Sequence, residues 1–204
     1  MSDRTSTRIT ASITISLDGY VVGPNDGPGK GLGEGGERLH YWVFGGPWSY
    51  AEEPTGEATG VDKQFLDEAF ARTGAVIVGR NMYEAAGAWG GTNPFGVPLF
   101  VLTHRTEDAP AAESGFTFVN GFEDAITRAI DAAGEREVSV GGGADVIRQA
   151  LSAGAVDELA ITIAPVVLGG GKLLFEGFDR SLDLDQVGVL PSPLATHITY
   201  RVRR

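Results

Sequence analysis

The sequence contains no cysteine and only three histidines. The absence of cysteine excludes disulfide bonds and catalysis by a thiolate. His40, His104 and His197 are far apart in the chain, and none has the spacing of a motif such as His-Glu-x-x-His, which places two imidazoles on one metal ion. We therefore expect neither a structural nor a catalytic metal.

The chain also lacks long apolar runs and an excess of positive charge. No run of about 18 apolar residues occurs, and residues 1–8 lack the apolar core of a signal peptide, so we expect no membrane insertion, no export and a cytoplasmic location. The chain has 16 Lys and Arg residues and 27 Asp and Glu residues, and its net charge of −11 repels nucleic acid. A site for a phosphate group must therefore be a local exception.

The order of the apolar segments indicates the fold class. With 204 residues, of which 42% are hydrophobic, the chain is long enough for one core, and we expect a single domain over residues 1–204. Short apolar strands that alternate with helices are typical of an α/β fold, in which helices cover both faces of a mainly parallel sheet. Strands are predicted at 8–17, 75–79, 98–103, 115–119, 138–140, 156–163 and 195–202, and helices at 61–72, 82–88, 122–133 and about 144–151. The last two strands have no helix between them and are expected to form an antiparallel edge.

Residues 23–60 form a long stretch without clear periodicity. It contains a group of aromatic side chains, Tyr41, Trp42, Phe44, Trp48 and Tyr50. A loop of this length in a compact domain is usually functional, and the aromatic rings favour packing over a ligand. We interpret the stretch as a lid or a pocket wall; a separate hydrophobic cluster or an oligomer contact is the alternative.

Three predicted strands end in residues suited to binding phosphate. The strand at 138–140 runs into Gly141, Gly142 and Gly143, and a helix then begins at Ala144 and Asp145. Glycine lets backbone N–H groups approach a bulky anion, and a helix N-terminus favours negative charge. The other two strands end in Gly79-Arg80 and in Thr103-His104-Arg105. Because ligands of open α/β sheets bind beyond the carboxyl ends of the strands, we expect the three to serve one dinucleotide. Taken singly, each could instead be a packing turn, a solvated arginine or a helix cap.

The same residues carry a resemblance to a known family. Residues 76–84, 100–105 and 140–143, in that order and spacing, resemble the cofactor-binding elements of dihydrofolate reductase. Residues 16–19 and 163–171 are more similar to the reductase domain of bifunctional riboflavin-biosynthesis proteins, the RibD C-terminal type. The resemblance extends from about residue 9 to residue 202 and covers residues 23–60 least well.

The resemblance implies a fold, a cofactor and a substrate class. The fold would be a dihydrofolate reductase-like sheet of about eight strands, and the cofactor NADPH. The substrate would be a pterin-, pyrimidine- or flavin-like heterocycle, for example a dihydropterin or 5-amino-6-(5-phosphoribosylamino)uracil. The chain would bind this small molecule as a cytoplasmic homodimer, paired through residues 164–171 and the aromatic loop.

The resemblance also assigns roles to individual residues. The glycine turn, followed by Ala144 and Asp145, would meet the pyrophosphate, with a cis peptide between Gly141 and Gly142. Arg80, next to Gly79, would contact a phosphate. Thr103 and Arg105 would hold the 2′-phosphate of the adenosine, with His104 beside them. Val22 would lie near the nicotinamide.

The proton donor implied by the resemblance is a carboxylate on the helix before the Gly-Arg strand. Asp62 lies at about the right distance, although the Pro-Trp-x-Leu-Pro-x-Asp context of dihydrofolate reductase is absent. Asp18 is the other acidic candidate, but Asp-Gly at the end of a strand is typical of a turn. Two other functions stay open, namely a nucleotide-binding module without turnover and a methyltransferase with an adenosyl cofactor.

Overall fold

The structure, a computed structural model, describes residues 7–52 and 54–203. Eight strands form one sheet in the order β5-β4-β3-β6-β1-β7-β10-β9, where these strands are β1 Ile9–Ser16, β3 Thr73–Gly79, β4 Leu99–Leu102, β5 Phe116–Val119, β6 Glu137–Val140, β7 Glu158–Ala164, β9 Leu184–Pro191 and β10 Thr196–Val202. Two short strands, β2 Tyr20–Val22 and β8 Lys172–Leu173, pair in a second sheet. The α-helices are α1 Gly60–Arg72, α2 Arg80–Ala85, α3 Phe122–Ala133 and α4 Ala144–Ser152.

The main sheet is parallel except at one edge. β1 pairs in parallel with β6 and β7, and β3 with β4 and β6. β10 runs antiparallel to β7 and to β9. The predicted α/β fold with an antiparallel edge is thus confirmed. β9 was not predicted, because it is an exposed edge strand interrupted by Gly188 and ended by Pro191, and it lacks the alternation of a half-buried strand.

Helices α3 and α4 pack on the strands whose ends carry the residues predicted to bind phosphate. α3 buries Ala125, Ala129 and Ala133, which lie on one face at intervals of four residues. Most of the apolar side chains of α4 are buried in the same core cluster. Within the described part of the chain, no helix has the length and the apolar character needed to cross a membrane.

The segment between β2 and α1 is packed against the sheet. It contains a short 3₁₀ helix, Gly36–His40. Leu39 in this helix is fully buried and clusters with Ala164 and Val166, which lie at and just beyond the end of β7. The buried side chain of Leu39 therefore packs the segment against the end of β7, and the segment forms a wall beside the ends of the parallel strands.

Candidate functional site

One large groove joins the three predicted phosphate sites. Its volume is about 1270 Å³. The groove is lined by all eleven residues that the sequence indicated as cofactor contacts: Val22, Gly79, Arg80, Thr103, His104, Arg105, Gly141, Gly142, Gly143, Ala144 and Asp145. We call this part of the groove the phosphate half. Residues that are far apart in the chain thus face one space because parallel strands end at the same edge of the sheet.

Backbone hydrogen bonds tie the glycine turn to the end of β3. The N–H of Gly141 donates to the carbonyl of Ile77 at 2.9 Å, and the N–H of Gly79 donates to the carbonyl of Gly142 at 2.7 Å. A Cβ atom on Gly79 would lie 2.8 Å from Val146 in α4, so only glycine allows this approach. The start of α4, whose first N–H groups receive no side-chain cap, is thereby held at the end of β3.

The cis peptide bond of the turn lies one bond later than expected. It joins Gly142 to Gly143, whereas the resemblance placed it between Gly141 and Gly142. Gly141 continues the ladder of β6 through its hydrogen bond to β3, so the chain turns only after that residue. The expected position was therefore wrong.

Two carboxylates bridge the arginines of the phosphate half. Glu84 accepts from Arg80 at 2.6 Å and from Arg105 at 3.2 Å. Asp108 lies 3.1 Å from Arg80 and 3.7 Å from Arg105. These acidic partners were not predicted, because Glu84 lies on the short helix α2 and Asp108 on a 3₁₀ helix of three residues, Thr106–Asp108, and neither segment has a pattern that reports the contact. The four charges neutralise one another, and an anionic ligand would compete with the carboxylates.

Arg80 nevertheless keeps one free nitrogen. Its guanidinium lies over the ring of Phe118 at 5.1 Å, and its Nη1 is buried without a hydrogen-bond partner among the described residues. Arg105 is more exposed, at 58% of its side chain. A buried unpaired donor is costly, and a ligand oxygen would satisfy it.

The neighbouring polar residues are held by local contacts. The Oγ1 of Thr103 accepts from the backbone N–H of Arg105 at 3.1 Å, and the Nδ1 of His104 lies 2.9 Å from the Oδ1 of Asn120. Among residues 7–52 and 54–203, no group of three or more His, Asp or Glu side chains is arranged to hold a metal ion.

The predicted proton donor, Asp62, is buried below the groove. Its side chain is 6% exposed, and its Oδ1 lies 2.8 Å from Nε2 of His197. The Nδ1 of His197 lies 2.9 Å from Oγ1 of Thr162. Of the three residues, Thr162 alone is among the described residues that line the groove. Among the described residues, hydrogen bonds therefore connect Asp62 to the groove through the imidazole of His197 and the hydroxyl of Thr162.

His197 and Thr162 were missed by the sequence analysis. His197 is 1% exposed and stacks on Phe65 of α1, with ring centroids 4.1 Å apart. In the sequence it is one polar residue in an alternating strand, and such a residue usually faces solvent. One signal was available. His197 alternates with Ile198 and Tyr200 along the strand, so its side chain lies on the opposite face of the sheet, toward the layer that covers that face.

Asp18, the other acidic candidate, holds a turn. It accepts from Ser16 Oγ at 2.6 Å and from the N–H groups of Leu168 and Gly169 at 3.1 and 2.7 Å. The hydrogen bond from Ser16, together with the backbone donors and against the opposing effect of burial, lowers the pKa of Asp18 to about 2. The carboxylate is therefore an acceptor at neutral pH and clamps the turn after β1 to the 168–169 loop.

Another part of the same groove is lined mainly by aromatic and apolar side chains. We call it the aromatic half; the segment between β2 and α1, together with one face of α1, lines it with His40, Trp42, Val43, Phe44, Trp48, Tyr50, Phe65, Leu66, Ala69 and Phe70. Edge-to-face contacts order the rings, with centroids 5.3 Å apart for Phe44 and Trp48 and for Trp48 and Tyr50. Thr14 and Thr162 lie beside it in the same groove. The expectation that residues 23–60 provide a pocket wall agrees with this lining.

Two polar atoms of the aromatic half are buried without a hydrogen-bond partner in the described part of the chain. They are Nδ1 of His40 and Nε1 of Trp48. Burial lowers the pKa of His40 to about 4, and burial also raises the pKa of Tyr50 to about 12. Both titratable side chains of this half are therefore neutral at physiological pH.

The parallel sheet, the glycine turn and the adjoining aromatic half define a protein of the dihydrofolate reductase fold. Residues 7–193 match the model of the RibD C-terminal domain family, and the chain belongs to that family. Family membership supports a reductase that acts on a heterocyclic substrate. The comparison with curated proteins gives no match.

Three solved structures illustrate the fold. A provisionally named riboflavin biosynthesis protein from Shewanella sp. PV-4 is 24% identical with a TM-score of 0.71, and the alignment covers 97% of this chain and 100% of that one. Dihydrofolate reductase from Enterococcus faecalis, complexed with NADP(H) and RAB-propyl, is 19% identical with a TM-score of 0.63 over 98% of each chain. A pyrimidine reductase-like protein from Corynebacterium diphtheriae is 18% identical with a TM-score of 0.62, over 97% of this chain and 92% of that one.

Proposed function

We propose that this protein is an NADPH-dependent reductase of a pterin-, pyrimidine- or flavin-like heterocycle. The observation that carries the proposal is the union, in one groove, of three phosphate-binding strand ends with an aromatic half that suits a flat ring. Membership of the RibD C-terminal family supports reductase chemistry. A structural neighbour that is complexed with NADP(H) supports the cofactor class.

The residues of the phosphate half fit a dinucleotide phosphate. The N–H groups at the start of α4, behind a turn without Cβ atoms, would hold the pyrophosphate. The free Nη1 of Arg80 would donate to a phosphate oxygen, and Arg105 with Thr103 would hold the 2′-phosphate. Bound NADPH supplies a hydride to the substrate ring.

A proton must reach the substrate nitrogen after the hydride is added, and the buried polar chain below the aromatic half offers a path. With a proton on both ring nitrogens, His197 would donate from Nε2 to Asp62 and from Nδ1 to Thr162, over 2.8 and 2.9 Å. The hydroxyl of Thr162 would give its proton to the substrate and take one from Nδ1, and the imidazole would be left neutral. Asp62 would thus act as a positioning residue that orients the ring, in the manner of the aspartate in a catalytic triad.

Cofactor binding and turnover test the proposal. In calorimetric titrations we expect NADPH to bind and S-adenosylmethionine not to bind, and Arg80→Ala to weaken NADPH because it removes the free donor. NADPH oxidation is then followed with flavins, dihydropterins and pyrimidines as acceptors. Binding without oxidation of NADPH by any of these rings would indicate a nucleotide-binding module. Binding of S-adenosylmethionine in place of NADPH would overturn the proposal.

A further inference from the structure

Two hydroxyl side chains lie side by side on one face of the main sheet. Thr14 on β1 and Thr162 on β7 are register partners in parallel strands, and register partners point to the same face of a sheet. Both line the groove beside the aromatic half, and they are 8% and 2% exposed. The row continues to β10, where His197 is the register partner of Thr162. A ring that enters the groove would meet these two hydroxyl groups on the sheet.

The hydroxyl of Thr14 has a fixed hydrogen-bonding sense. The Nε1 of Trp42 lies 3.2 Å from its Oγ1, and an indole N–H can only donate, so Thr14 accepts this bond. Trp42 is 6% exposed, and its ring packs edge-to-face on His197 with centroids 4.9 Å apart, so the donor is held in place. The hydroxyl proton of Thr14 is then left for an acceptor, and within the described part of the chain no acceptor is hydrogen-bonded to it.

Thr14 and Thr162 differ in what they offer a ligand. The hydroxyl of Thr162 lies 2.9 Å from Nδ1 of His197, and the sense of that bond depends on which ring nitrogens carry a proton. Thr162 can therefore donate to a ligand or accept from it, whereas Thr14 donates. Neighbouring strands lie about 4.8 Å apart, and the edge of a planar heterocycle with one or two rings spans that separation. One edge of a ring can thus contact both hydroxyl groups.

We infer that Thr14 is a substrate-binding residue, whose hydroxyl donates a hydrogen bond to a ring carbonyl or ring nitrogen on the edge of the heterocycle that faces Thr162. The inference rests on the proposed function, because it places the reductase substrate in this groove. It gives the substrate an acceptor on the same edge that receives the proton from Thr162. Trp42 is the positioning residue that keeps the hydroxyl of Thr14 in its donating orientation.

Three variants of β1 test the inference. Thr14→Val removes the hydroxyl and keeps the shape of the side chain, and Thr14→Ser keeps the hydroxyl. Thr10→Val is the matched control, because Thr10 lies on the same face of β1, is 7% exposed and donates from its hydroxyl to Glu137 at 3.1 Å. Thr10 is not among the described residues that line the groove. The two valine variants therefore lose a similar hydroxyl, one inside the groove and one outside it.

Riboflavin, pterin and uracil serve as probes, one for each ring class of the proposed function. Each is titrated calorimetrically into the wild-type protein and the variants, without cofactor and with saturating NADPH. For the ring that the wild-type protein binds most tightly, Thr14→Val should weaken binding roughly tenfold and Thr14→Ser by less than about threefold, because only the first loses the hydrogen bond. Thr10→Val should bind the ring like the wild-type protein. NADPH should bind to all of them alike, since neither threonine lies in the phosphate half.

Urea denaturation separates ligand binding from a purely structural role. Both valine variants lose one hydrogen bond of the folded protein, to Trp42 or to Glu137, so both should unfold at lower urea, and only Thr14→Val should bind the ring more weakly. Equal ring affinities of the two valine variants, equal losses in Thr14→Val and Thr14→Ser, or no binding of any probe to the wild-type protein would overturn the inference. Failure of NADPH to bind would contradict the proposed function instead, and the cofactor-free titrations would still decide the role of Thr14.

Discussion

His197 stands between Asp62 and the groove, with its Nε2 2.8 Å from the Asp62 carboxylate and its opposite nitrogen turned to the hydroxyl of Thr162. An imidazole in this position can exchange a proton with the groove, and a carboxylate behind it can fix the tautomer of the ring. Asp62 remains a predicted participant in catalysis, and the structure favours an indirect role.

Replacement of Asp62 by asparagine should lower kcat by about 10²-fold or more, because the His197 ring loses the carboxylate that fixes its orientation. Steady-state kinetics measure this effect. Calorimetry with NADPH is the control and should show little change in affinity. An unchanged kcat would exclude Asp62 from the proton path.

The bridged arginines predict opposite effects of two substitutions on cofactor preference. Arg105→Ala should reduce the affinity for NADPH by about 5- to 30-fold and leave NADH nearly unchanged, because an exposed charge-assisted contact is worth about 1 to 2 kcal/mol. Glu84→Gln should strengthen NADPH binding, since it removes the carboxylate that competes for Arg80 and Arg105. Both effects should shrink at high salt. Equal losses for NADPH and NADH in Arg105→Ala would place the 2′-phosphate elsewhere.

His40 predicts a dependence of stability on pH. Its pKa falls from 6.5 to about 4 on folding, so below pH 6.5 the unfolded chain binds a proton that the folded protein does not. The free energy of unfolding should therefore decrease as the pH falls from 6.5 toward 4, by about 2 kcal/mol at pH 5 relative to pH 7. Urea denaturation at the two pH values measures this change. His40→Gln should lose this part of the dependence, and an identical slope in the variant would show that His40 does not cause it.

Exposed apolar side chains near the end of β7 support the proposed homodimer. Leu17 is 68% exposed and Val167 is 64% exposed, and a backbone hydrogen bond from Leu17 to Val166 places them on one patch. Light scattering should give twice the chain mass of 21.4 kDa. Val167→Asp should shift the mass toward the monomer by placing a charge in the contact, with Val189→Asp, on the edge strand β9 two strands from β7, as the control. A monomeric wild-type protein at high concentration would reject the dimer.

The main sheet and the phosphate half could be predicted because local patterns encode them. Residues 75–78, directly before Gly79, are all apolar, and the turn at Gly141, Gly142 and Gly143 joins a strand to an amphipathic helix. The aromatic half could be anticipated only as a wall, since its lining depends on how the segment before α1 folds back. The polar chain through His197 depends on a contact between residues 135 positions apart, and no local pattern reports such a contact.

The burial of Leu39 against Ala164 and Val166 has a consequence for the kinetics of ligand entry. A wall anchored in the core does not need to open before a ring can enter or to close after it, so association should be a single step. In stopped-flow measurements, the observed rate should rise linearly with the ligand concentration, without the plateau that a slow lid movement imposes. Leu39→Ala, which loosens the anchor, should introduce such a plateau, and the wild-type protein should show none.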